Sequence, residues 1–114
     1  MSPESAENRS VEWSPAEWQS ELQDLRKQID RLDQGLVLML ANRFALTRRV
    51  GSIKARVGLQ SFDPQREAEK LADIRRLCET HGLNAELVAD ILAQIMRETV
   101  RNHDKIRSDL APER

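Results

Sequence analysis

The stretch from Leu22 to Lys54 constrains this chain more than any other feature. Leu22, Leu25, Ile29, Leu32 and Leu36 step by three and four residues, the spacing that lines one face of an α-helix. The stripe runs on through Leu40, Arg43, Thr47, Val50 and Lys54, so two cations stand where apolar residues were due. Arg43 and Lys54 lie eleven steps apart, about 16 Å along a helix axis and only about 20° around it. Both heads can lean toward a point between them. Taking a cation out of water is costly unless an anion meets it. The pattern points either to a small anionic ligand held against the helix or to long side chains that reach solvent from the edge of the stripe. Arg26, beside Leu25, lies about 25 Å before Arg43 and about 100° around the same helix. It can share a ligand with Arg43 and Lys54 only from a second chain lying alongside. A stripe this long on 114 residues also needs a partner to cover it.

At this length the chain is one domain at most. Charged residues reach 32%, nearly balanced at a net charge of −1, and aromatic residues only 4%. That mixture predicts an all-α bundle with a modest core and a charged exterior. It argues against nucleic acid as a partner, which would require a clearly basic face. The single cysteine, Cys78, rules out an intramolecular disulfide, suggests a reducing compartment, and fits a small core residue on a helix face. No apolar run approaches the roughly twenty residues that span a bilayer, and no secretory signal opens the chain. The expectation is a soluble cytoplasmic protein without a membrane partner.

Residues 1–13 are expected to form a disordered tail and 14–110 a helical domain. Ser14 is a good N-cap, Pro15 suits the first helical position, and Glu17 completes a capping box. Trp13 and Trp18 stand where a hydrophobic staple would join the residue before the cap to the helix. The first helix should run from Pro15 to about Val57, with close packing of another backbone at Gly35 and Gly51. Gly58 is a stop signal. Asp63-Pro64 opens a second helix, whose buried face is Ala68, Leu71, Ile74 and Cys78 and whose end is Gly82. Asn84 caps a third helix with Val88, Ile91, Leu92, Ile95 and Met96 on its apolar face. That face continues through Thr99, His103 and Ile106.

Arg66 and Glu67 sit in the first turn of the second helix, and Thr99 and His103 lie one turn apart on the third. Taken with Arg43, Lys54 and Arg26, they form a set of cations and hydrogen-bond donors suited to a dicarboxylate ligand. The sequence has no glycine-rich phosphate loop, no zinc-ligand spacing and no nucleophile motif. Chemistry here would need neither metal, cofactor nor covalent attack, only confinement and electrostatic stabilisation.

The runs Leu25-Arg26-Lys27-Gln28-Ile29-Asp30-Arg31-Leu32-Asp33, Leu40-Ala41-Asn42-Arg43, Val50-Gly51-Ser52-Ile53-Lys54 and Asp63-Pro64-Gln65-Arg66-Glu67 resemble the all-helical, AroQ-type chorismate mutases. The resemblance covers about Glu21 to Arg107. It implies a three-helix chain with one very long N-terminal helix, intertwined as a homodimer with two sites built from both subunits. It also implies a cofactor-free Claisen rearrangement of chorismate to prephenate in aromatic amino acid biosynthesis. By position, Arg43 and the partner chain's Arg26 would hold the two carboxylates. Lys54 would meet the ether oxygen, and Glu67 the ring hydroxyl with help from the backbone at Asp63. Arg66 would support the electrostatics, and Thr99 stands where the family often has serine. His103 departs from the family's Gln or Glu, whose side chain donates to the ether oxygen beside Lys54. A histidine can donate there from a ring nitrogen, leave the task to Lys54, or fit a modified substrate. Isochorismate pyruvate lyases and 4-amino-4-deoxychorismate mutases share the fold. A helical dimerisation module is the non-enzymatic alternative. The chain's size leaves no room for a fused catalytic domain, so a monofunctional enzyme is expected.

Overall fold

A computed structural model of the chain describes residues 12–110. The tail expected over 1–13 lies outside the described residues except for Glu12 and Trp13. The structure is all-α, with three helices in order: α1 (Pro15–Val57), α2 (Pro64–His81) and α3 (Ala85–Leu110).

Each helix boundary has a local cause. The Ser14 hydroxyl accepts from the Glu17 backbone N–H at 3.3 Å, and the Glu17 carboxylate accepts from the Ser14 N–H at 3.1 Å, closing the capping box. The α1 C-terminus stops at Gly58, whose φ of 78° is the left-handed conformation that a glycine adopts without strain. The Leu59 N–H then reaches back to the Lys54 carbonyl at 2.8 Å. Asp63 caps α2 by accepting from the Arg66 N–H at 3.0 Å, with Pro64 in the first turn. Gly82, also left-handed, ends it, and the Leu83 N–H bonds to the Cys78 carbonyl at 2.9 Å. Asn84 caps α3 through its side-chain oxygen on the Leu87 N–H at 3.2 Å. Only three residues, Gly82 to Asn84, separate α2 from α3, so α3 turns back along α2. An Arg75–Glu86 ion pair ties the two together.

The chain divides into two compact units, one ending at Leu40 and the other beginning at Ala41. In the first, the α1 stripe is exposed from Leu22 to Leu36, with Ile29 at 53% and Leu32 at 70%, and within the stripe only Leu40 is half-buried. In the second, the end of α1, α2 and α3 enclose a thin core. Among the described residues only Cys78 and Ala89 are fully buried apolar residues, and no large side chain is completely covered. Cys78 is buried as its helix face predicts. Ala68 and Ile91, expected on buried faces, are exposed. Trp13 and Trp18 are both about half exposed. The expectation of a second backbone at Gly51 is corrected. The atoms that crowd this glycine belong to the His103 ring, whereas nothing lies within 4 Å of a Cβ placed on Gly35. No described helix is long and apolar enough to cross a membrane.

Candidate active site

The second unit holds a cavity of about 370 Å³, a size that fits a small organic ligand. From α1 it receives Arg43, Thr47, Val50 and Lys54, the continuation of the stripe that opens at Leu22. Steps of four, three and four residues keep these side chains on one helix face. The connection between α1 and α2 contributes Ser61, Phe62 and Asp63. It is pinned from α3 by Arg107, whose guanidinium donates to the Leu59 carbonyl. The opening turns of α2 add Arg66, Glu67 and Lys70, and α3 adds Met96, Thr99, Val100 and His103.

Of the residues singled out from sequence, Arg43, Lys54, Asp63, Arg66, Glu67, Thr99 and His103 meet at this one cavity. Arg26 belongs to the other unit, is exposed, and is not among the lining residues. Four lining positions were missed: Ser61, Phe62, Lys70 and Val100. Lys70 is four residues after Arg66 on α2, so helical spacing alone could have found it. Ser61 and Phe62 sit in a non-periodic connection, where no such signal exists.

The cavity's charge is lopsided: Arg43, Lys54, Arg66 and Lys70 face it against the carboxylates of Asp63 and Glu67. The ion pairs among the described residues lie elsewhere, at Arg75–Glu86, Arg76–Asp73 and Arg101–Glu98. The four cavity cations are therefore not consumed by these pairs, and their surplus suits a doubly negative guest. Arg43 donates to the Thr99 hydroxyl oxygen at 3.4 Å. The Thr99 proton goes to the Ile95 carbonyl at 3.1 Å, so its oxygen presents a lone pair to the guanidinium. Thr99 thereby orients Arg43. His103 sits deeper, with Nε2–H donating to the Thr47 carbonyl at 2.8 Å. Two polar atoms of lining residues are buried with no partner among the described residues, Ser61 Oγ and His103 Nδ1. Among those same residues, no three His, Cys, Asp or Glu side chains are grouped so as to hold a metal ion.

Comparison with known proteins converges on the same region of the chain. A T-protein of Enterobacter agglomerans is 41% identical over 95 residues, which cover 82% of this chain and 26% of that protein. A chorismate mutase of Methanocaldococcus jannaschii is 33% identical over 66 residues, 58% of this chain and 67% of the relative. A 4-amino-4-deoxychorismate mutase of Streptomyces venezuelae is 30% identical over 90 residues, 79% of this chain and 87% of the relative. The chain spans about a quarter of the length of the T-proteins it matches. The family model described as "Chorismate mutase type II" matches residues 25–104, a span that takes in Arg26 and all the cavity-lining side chains. With three helices in the expected order, a cation-lined cavity among them and this match over most of its length, the chain belongs to the type II chorismate mutase family.

Proposed function

We propose that the chain is a chorismate mutase that rearranges chorismate to prephenate in aromatic amino acid biosynthesis, working as a homodimer with sites shared between chains. The observation that carries this reading is the gathering of Arg43 and Lys54 from α1, Arg66 and Glu67 from α2, and Thr99 and His103 from α3 around one cavity of ligand size. In the rearrangement one C–O bond breaks as one C–C bond forms within a single molecule, and no proton moves. The protein's task is to fold the guest and to stabilise shifting charge. Arg43, steadied by Thr99, holds one carboxylate, and Arg26 of the second copy holds the other. Lys54 faces the ether oxygen, where negative charge grows only as the bond breaks, so it acts on the transition state more than on the substrate. Glu67 accepts from the ring hydroxyl, with the backbone at Asp63 beside it, and Arg66 strengthens the positive field. His103 completes the wall of the site. Closing the guest between these groups replaces a search through conformations with one reactive shape.

A second reading has a specific observation in its favour. The Streptomyces relative, matched over most of its length, is named as acting on 4-amino-4-deoxychorismate. An amino group in place of the ring hydroxyl would meet Glu67 and its polar neighbours. Incubating the purified protein separately with chorismate, isochorismate and 4-amino-4-deoxychorismate, with product identification, decides among them. Prephenate from chorismate at the highest kcat/KM is the expected result. Preference for the amino substrate selects the second reading. No turnover of any of the three leaves a helical dimerisation module.

A further inference from the structure

His103 is only 4% exposed, the most enclosed polar side chain among the described residues. A carbonyl only accepts, so the 2.8 Å bond to Thr47 requires the proton on Nε2. The other nitrogen, Nδ1, is sealed from solvent and has no partner among the described residues. The ring lies directly over Gly51. A Cβ there would stand 3.1 Å from Cγ and closer still to Cδ2. Only glycine admits the imidazole at this depth. One nitrogen is therefore committed to the backbone and the other enclosed, although the ring lines the cavity. Neither offers an N–H to a guest.

We propose that His103 is a positioning residue, a wedge that sets α3 against the end of α1 and thereby aims Arg43, rather than a donor to the ligand. Thr47 lies one turn after Arg43 on α1, and His103 one turn after Thr99 on α3. The bonds Arg43–Thr99 and His103–Thr47 are thus two successive rungs between helix segments running the same way. Moving the second rung shifts the first, and with it the guanidinium that meets a carboxylate. Lys54 is then the sole donor at the ether oxygen. This proposal rests on the chorismate mutase reading of the cavity.

The test uses the full chain with chorismate as substrate. Gly51→Ala adds a methyl that pushes the ring away, and His103→Ala removes the ring. Each is expected to raise KM about tenfold or more, with a smaller fall in kcat, because binding of a carboxylate present before and during reaction is what weakens. The double variant is expected to be no worse than His103→Ala alone, since the methyl then has room. A loss in His103→Ala confined to kcat, or additive losses in the double variant, overturns the proposal. Nitrogen-15 NMR of the ring supplies a second readout. Nδ1 is expected to stay unprotonated and Nε2 protonated, both in the free protein and with a bicyclic ether dicarboxylate that mimics the rearranging ring. A proton gained at Nδ1 when the mimic binds overturns the wedge. A wild-type chain that forms no prephenate overturns the functional reading instead, and the free protein's ring signature still tests whether the wedge exists.

Discussion

Arg43 and Lys54 share a helix face and line one cavity, and the proposed function gives them unequal tasks. On the proposed reading, a carboxylate bound by Arg43 would be present in substrate and transition state alike, whereas the charge met by Lys54 would appear only as the ether bond breaks. Lys54→Ala is expected to lower kcat by about a hundredfold or more with a smaller change in KM, the scale of losing one aimed donor. Initial rates of chorismate loss measure this directly. Arg43→Ala is expected to lower kcat/KM below detection while far-UV circular dichroism stays unchanged. Activity that survives Arg43→Ala would remove that residue from the site. Both cations were legible because each interrupts an apolar stripe, and a break in periodicity is visible without coordinates. Lys70 was not singled out, although the same helical spacing from Arg66 reaches it. The orientation of His103 was not. Its partners Thr47 and Gly51 lie about fifty residues away in the chain, and nothing local says which nitrogen faces which helix.

Helix ends carry much of the local specification. Three N-caps, Ser14, Asp63 and Asn84, satisfy backbone donors that would otherwise lack partners. Asp63 also bounds the cavity, so its cap fixes where Arg66 and Glu67 begin. Asp63→Ala is expected to cost about 1 kcal/mol of stability. A lower urea midpoint at unchanged m-value would show it. The Arg75–Glu86 pair joins α2 to the start of α3. Hydrogen bonding to Arg75, then its charge, holds the Glu86 carboxyl below its ordinary value. A carboxyl lowered in the folded state contributes stability above its unfolded value and loses it as pH falls through the folded one. Stability is therefore expected to decline on acidification below the ordinary carboxylate range, and Glu86→Gln should shrink that decline. The pair is exposed, so the difference will be small and should fade with added salt. Thermal unfolding across acidic pH, at low and high salt, measures both effects.

The described residues leave a long apolar stripe in water. Leu25, Ile29, Leu32 and Leu36 are all exposed, and among the described residues no large side chain is buried completely. Burial of such side chains is the main favourable term in folding. A second copy covering the stripe would supply it and bring Arg26 to a site whose other residues lie on the first copy. Sharing of this kind has a distinctive consequence. Arg26→Ala and Arg43→Ala homodimers are each expected to be inactive, yet unfolding and refolding the two together should restore activity. Each mixed dimer holds one site with Arg43 from one chain and Arg26 from the other, both intact. A mixture as inactive as its components would place Arg26 outside the site. The geometry of an intertwined pair cannot be read from one copy of the sequence beyond the exposed stripe that suits it, because register and crossing depend on side-chain fit between two surfaces.

The sequence by itself determined where each helix starts and stops, which face of α1 is apolar, and which cations interrupt it. These are consequences of a 3.6-residue repeat and of caps that act within four residues, so they are written locally. The tertiary structure decided what meets across the cavity: that Thr99 steadies Arg43, that an imidazole rather than a backbone fills the space at Gly51, and that Ser61 joins the wall. Those contacts exist only once distant segments have been brought side by side, and their geometry follows from how three helices fit, not from any repeat along one of them.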